Sequence, residues 1–146
     1  MTLLIREAKW RKVRGIGPRL KKAAGAALAA ASAEAGALTI LLASDRDLRA
    51  LNRDFRGRDE ATNVLSFPAA GESYLGDIAI AYGVAAREAR AAKKTVADHA
   101  VHLAVHGVLH LMGYDHVTRR QAKIMEPLEV SILARLGIAD PYEGAA

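Results

Sequence analysis

The chain has 146 residues, 51% of them hydrophobic and 25% charged, with no cysteine and a formal charge of +5. That length suits one domain with a sizeable buried core, and the balance is that of an ordinary soluble globular protein. Without cysteine, disulfides and thiolate metal sites are excluded, so any bound metal must be held by nitrogen and oxygen.

Much of the positive charge sits early. Residues 1–22 carry Arg6, Lys9, Arg11, Lys12, Arg14, Arg19, Lys21 and Lys22 against the single acid Glu7. Such a patch favours a polyanion, either nucleic acid or an anionic membrane, although a solvated basic face has the same composition. No apolar run reaches the roughly 18–20 residues needed to cross a bilayer. The stretch KKAAGAALAAASAEAGA is not read as a targeting signal, because it is Ala-rich, contains Glu34 and follows a strand-like segment. The expectation is a soluble, cytoplasmic protein, in keeping with the absence of disulfides.

In chain order, TLLIREA (residues 2–8) reads as a short strand. Residues 17–35 form an Ala-rich helix, with Pro18 tolerated near its start and Gly36 as its stop. ALTILLAS (37–44) is apolar enough for a buried strand. Ser44 and Asp45 offer a cap for a helix running to about Phe55, with Leu48 and Leu51 facing inward. RGRDEATN is a polar loop, VLSF (64–67) a short strand ended by Pro68, PAAGES a second loop, and YLGDIAIAY (74–82) another strand. Helices follow at about 83–94 and 96–112, parted near Lys94 and Thr95, with Gly113 ending the second. A last helix spans about Thr118 to Leu136, and Pro127 inside it is expected to bend it. Strands mixed with helices, then helices alone, give one α+β domain over residues 1–146. Its four-stranded mixed sheet packs against helices, and a C-terminal helical portion carries the metal site.

All five histidines fall between positions 99 and 116. A helical residue advances by about 100°, so His99, His102, His106 and His110 share a stripe roughly 80° wide. His106 and His110 are one turn apart, and both imidazoles can reach one ion. Gly113 can turn the chain sharply and return His116 to the same point. Three imidazoles with a fourth position open is the arrangement of a catalytic zinc site, whereas structural sites close with four protein ligands. The spacing matches the metzincin frame, except that Gly107 stands where that frame has its general-base Glu. His99 and His102 either line the approach or support the core.

HGVLHLMGYDH, preceded by RGRDEATNVLSFP and LGDIAIA, closely resembles the YbeY family of bacterial endoribonucleases involved in ribosomal RNA maturation. The resemblance runs from residue 37 to residue 143 and includes the tail GIADPY. It implies a mixed sheet with helices and one divalent metal ion, usually Zn²⁺, bound by His106, His110 and His116. It also implies a functional arginine, Arg56, in the R-G-x-D segment. The activity implied is metal-dependent, single-strand-preferring cleavage of RNA in 16S ribosomal RNA maturation and ribosome quality control. Its partners would be ribosomal RNA and the small ribosomal subunit, with no membrane and no DNA.

A guanidinium can meet the charge that builds on phosphodiester oxygens with two parallel hydrogen bonds, which suits Arg56 to a catalytic role. Arg58, two residues on, has the same chemistry. Asn63, Ser66 and Asp77 are read as holding strand ends and loops, and Asp115 as capping the turn before His116. No general base is evident, so attack by the RNA's 2′-hydroxyl and attack by water both stay open. The alternatives are a metzincin-like metallohydrolase and an RNA-binding ribosome-assembly protein whose metal is mainly structural.

Overall fold

Two strongly apolar runs form the central strands of a four-stranded sheet: β2 (Ala37–Ala43) and β4 (Tyr74–Ala81). The structure is a computed structural model and describes residues 1–31, 36–70 and 73–142. β1 (Thr2–Ile5) lies parallel to β2, β2 lies parallel to β4, and β3 (Val64–Pro68) pairs antiparallel with β4, giving the order β1-β2-β4-β3. Alternate side chains of a strand point to opposite faces. Leu38, Ile40, Leu42, Ile78 and Ile80 therefore join one apolar cluster, while Ala43, Leu65, Ala79 and Ala81 join another. Strands covered on both faces read as near-continuous apolar runs, as these do.

Among the described residues, five α-helices cover the sheet: α1 (Ile16–Ala30), α2 (Asp45–Arg56), α3 (Tyr82–Ala91), α4 (Val96–Leu111) and α5 (Arg119–Arg135). The smaller cluster packs Leu48 and Leu51 of α2 against its face of the sheet. The larger one joins the opposite face to α1, α4 and α5. This is the expected α+β arrangement. None of the described helices is long and apolar enough to cross a membrane.

The middle of the larger layer is α4, which touches α1, α3, α5, β3 and β4. It comes close to the sheet at Gly107. A Cβ there would stand 2.9 Å from Ile78 Cγ2 and 3.2 Å from Ser66 Oγ. The Ser66 hydroxyl donates to the Gly107 carbonyl at 3.0 Å within this buried contact. The hydrogen bond and the missing side chain together seat α4 directly on β3 and β4.

Several element boundaries differ from expectation. β1 stops at Ile5, and residues 8–12 form a 3-10 turn that buries Trp10 completely. The indole has one polar atom to satisfy, and its Nε1–H donates to the Ala43 carbonyl at 2.9 Å. α1 ends at Ala30, capped by Ala31, so Gly36 is not its stop; positions 32–35 of the expected helix lie outside the described residues. Tyr82 begins α3 rather than ending β4, and α3 ends at Ala91, with Lys93 in the left-handed region at φ 58°. Ser44 and Asp47 form a capping box on α2, as do Thr118 and Gln121 on α5. α5 runs unbroken through Pro127.

The fit at Gly107 has a measurable consequence. Gly107→Leu is expected to lower stability by about 1–3 kcal/mol, the usual cost of overfilling a packed interior. Urea denaturation measures it, and a variant as stable as the parent would mean that α4 is not held this close to the sheet.

Candidate metal centre and its cleft

Because α4 turns Gly107 toward the sheet, its histidine stripe is left facing a cleft. His106 and His110 are one turn apart on α4, with ring centroids 4.5 Å apart and Nε2 atoms separated by 2.9 Å. The helix then ends in a Schellman turn. Gly113 N–H donates to the His110 carbonyl at 3.0 Å, and Tyr114 N–H to the Leu109 carbonyl at 3.0 Å. This closure needs a left-handed residue, and Gly113 supplies it at φ 94°. The reversed chain brings the His116 ring to 4.9 Å from His106 and 5.1 Å from His110. The three histidines each offer a ring nitrogen within 4.8 Å of the other two, so the group could hold one metal ion.

The protonation chemistry fits that use. Glu129 of α5 has no exposure to solvent, and its Oε1 lies 2.6 Å from His106 Nδ1. Its Oε2 accepts from the Tyr142 hydroxyl at 2.8 Å and lies 3.0 Å from His102 Nε2. Burial by itself would raise this carboxyl, but hydrogen bonds from His102, His106 and Tyr142 outweigh it and hold the group at about 2. An ionised carboxylate can only accept, so His106 donates from Nδ1 to Glu129 and turns Nε2 toward His110. His110 is pushed down to about 4, first by burial and then by its neighbours His106 and His116, and is neutral at pH 7. Neutral imidazoles with free lone pairs are what a divalent ion requires.

The cleft has a volume of about 1100 Å³ and is open to solvent. His102, His106, His110, Asp115, His116 and Tyr142 line it together with Arg56, Arg58 and residues 60–66. Arg56 is the last residue of α2. Its guanidinium donates to the Ser66 carbonyl at 2.8 Å and lies 5.8 Å from the Phe67 ring centroid. That carbonyl is available because Asn63 and Ala69 bond toward β4, so by antiparallel alternation the Ser66 backbone faces the free edge of β3. The structure thus brings Arg56 and the three histidines to one cleft, with Arg58 beside them. None of the basic side chains of residues 1–22 lines it.

The remaining polar residues hold the frame. Asn63 Nδ2 donates to Glu88 Oε1 at 3.0 Å, and the same oxygen lies 2.8 Å from His99 Nε2. His99 is thereby turned toward α3, and only the later histidines of the stripe reach the cleft. Asp77 bonds the Tyr74 hydroxyl. Asp115 Oδ1 accepts from the His116 backbone N–H at 2.7 Å, which caps the turn, and lies 3.9 Å from the His116 ring.

Glu129 and Tyr142 are the members of this assembly that sequence reasoning did not single out. A signal for Glu129 exists. Met125, Ile132 and Leu133 are all buried, and they stand four before, three after and four after it on α5. A carboxylate inside that apolar stripe needs buried donors. Tyr142 lies in the tail GIADPY, and no pattern there announces its partner.

Removal of this carboxylate would leave three part-buried donors without their shared acceptor. Glu129→Ala should cost about 1–3 kcal/mol, the scale of losing the partner of buried polar groups. Glu129→Gln should cost less, because the amide keeps one acceptor. Thermal and urea denaturation of metal-free protein report both, and parental stability in Glu129→Ala would contradict the network.

Comparison with known proteins agrees with this architecture. A family model described as Endoribonuclease YbeY matches residues 9–137. Endoribonuclease YbeY of Bordetella avium is 53% identical over 133 residues, covering 85% of this chain and 83% of the relative. The protein of that name from Bordetella pertussis is 50% identical over 141 residues, covering 94% and 88%. The solution structure of TM1509 from Thermotoga maritima superposes with a TM-score of 0.57 at 21% identity, covering 96% of this chain and 97% of that one, a likeness of fold. With the match spanning most of its length, the chain belongs to the endoribonuclease YbeY family.

Proposed function

We propose that this chain is a metal-dependent endoribonuclease that prefers single strands and acts in 16S ribosomal RNA maturation and ribosome quality control. Its partners in this reading are ribosomal RNA and the small ribosomal subunit, and its place is the cytoplasm. One observation carries the reading: three neighbouring imidazoles and the Arg56 guanidinium line the same open cleft. The family relatives, named as endoribonucleases, support RNA as the substrate.

His106, His110 and His116 are assigned as the ligands of one divalent ion, with zinc the metal that best suits three neutral imidazoles and an open position. When bound, such an ion supplies Lewis acidity toward a phosphoryl oxygen and makes a nearby water more acidic. The chain's own groups do the rest. Glu129 keeps the His106 proton on Nδ1, away from the cleft. Arg56 uses one nitrogen on the Ser66 carbonyl and keeps other donors for a phosphate whose charge increases during cleavage. The Phe67 ring and the backbone bond restrain that guanidinium, so little ordering remains to be done when the substrate arrives.

Peptide hydrolysis in the metzincin manner lacks its base here. Position 107 faces Ile78 and Ser66, so a carboxylate placed there would meet the sheet. A mainly structural metal is the other reading. Against it, three ligands leave a coordination position open, whereas a structural site closes with four.

Metal analysis combined with RNA cleavage tests the proposal. The parent should carry one metal per chain and cut single-stranded RNA. His110→Ala should lose both properties. Arg56→Ala should keep the metal and lose on the order of 100- to 1000-fold in kcat. Chelation should abolish cleavage while far-UV circular dichroism stays largely unchanged. Equal cleavage by all three proteins, or no stoichiometric metal in the parent, would overturn the proposal.

A further inference from the structure

The inner face of α2 carries Leu48, Leu51, Asn52 and Phe55 at helical spacing. Leu48 and Asn52 are buried and Leu51 is half-buried, but Phe55 is 70% exposed. The ring stays in the open on a stripe that otherwise faces the core. It touches the edge strand through Phe67, whose ring lies 5.5 Å away at an interplanar angle of 62°. The same Phe67 ring carries the Arg56 guanidinium. Phe55 is thus anchored at one edge, next in sequence to an arginine that lines the cleft, and its ring is otherwise free.

The cleft also carries an exposed aliphatic side chain. Val117, next to His116, lines the cleft and is 82% exposed. Val117 and Phe55 are the two most exposed large apolar side chains among the described residues. Val117 thus lines the cleft itself, and Phe55 stands just outside its lining, one residue from Arg56. A single-stranded nucleic acid presents the complementary pattern, with charged phosphates along one side and flat apolar bases along the other. Bases stack on aromatic side chains whatever their identity, because every base has a π-face.

We propose that Phe55 is a stacking platform for one nucleobase of the RNA strand whose phosphates occupy the cleft. The inference rests on the endoribonuclease reading and deepens it. Phe55 sets where along the strand the enzyme grips, and it does so without selecting a particular base. It also accounts for a preference for single strands, since a base held in a duplex has no free face to offer.

The test measures binding of a short single-stranded oligoribonucleotide carrying 2′-O-methyl groups, so that binding is read without cleavage. Phe55→Ala should weaken binding on the order of tenfold, the usual scale for losing one stacked base. Phe55→Trp should keep affinity, and its fluorescence should be quenched on binding, whereas the parent's only tryptophan, Trp10, is buried and should not respond. An abasic nucleotide scanned along the strand should weaken binding by the parent at one position, and Phe55→Ala should lose that sensitivity. Phe55→Leu preserves apolar bulk without a ring and should behave like alanine. If Phe55→Ala or Phe55→Leu binds as the parent does, the stacking role is overturned while RNA cleavage by the parent stands. If the parent binds no RNA, the function and the platform fall together.

Discussion

A carboxylate with no access to water, placed among three hydrogen-bond donors, is the constraint around which this molecule is arranged. An ionised group is costly to bury unless it is paired and hydrogen-bonded. Glu129 meets that condition by drawing His102 and His106 from α4 and Tyr142 from the C-terminal tail. Each partner comes from a segment distant in sequence, so the network sets the register of α4 against α5 and ties the tail beside them. The same bonds decide which nitrogen of His106 carries its proton. Stability and site chemistry therefore depend on one side chain.

The opposite side of α4 is held as firmly by what it lacks. Gly107 lets the helix settle on Ile78 and Ser66, and the Ser66 hydroxyl closes the contact. Ser66 also presents its backbone carbonyl to Arg56 at the sheet edge. One short edge strand thereby positions two parts of the cleft: the histidine helix through a side chain, and the arginine through a carbonyl. Gly107 takes on a different meaning in this setting. Its position faces the sheet, so the absence of a carboxylate there follows from packing and holds for whatever bond is cut.

Much of this was legible in the sequence, for reasons that differ from residue to residue. His106, His110, Gly113 and His116 could be placed because helical geometry and one glycine turn are local and periodic. Arg56 could be placed only through the resemblance, since a lone arginine after a helix has no physical signature; its partner, the Ser66 carbonyl, is a tertiary contact across ten residues. Glu129 went unread because its meaning lies in a helix 23 residues from His106, although its apolar neighbours mark the position. The 3-10 turn around Trp10 was hidden for a similar reason: a basic, irregular segment folds inward to satisfy one indole. The early basic residues suggested a polyanion, yet the arginines at the cleft come from α2 and the loop after it.

Family membership supplies a name for the chemistry, and the cleft brings together the residues to which the proposal assigns it. The central claim is that Glu129 presets the His106 imidazole for a divalent ion. Nitrogen-15 NMR of the ring nitrogens, recorded on metal-free protein and again after adding zinc, tests it most directly. His106 should keep Nδ1 protonated in both states, while its Nε2 takes the shift of a coordinated nitrogen once zinc is added. A His106 ring protonated on Nε2, or an Nε2 resonance that ignores zinc, would contradict the account.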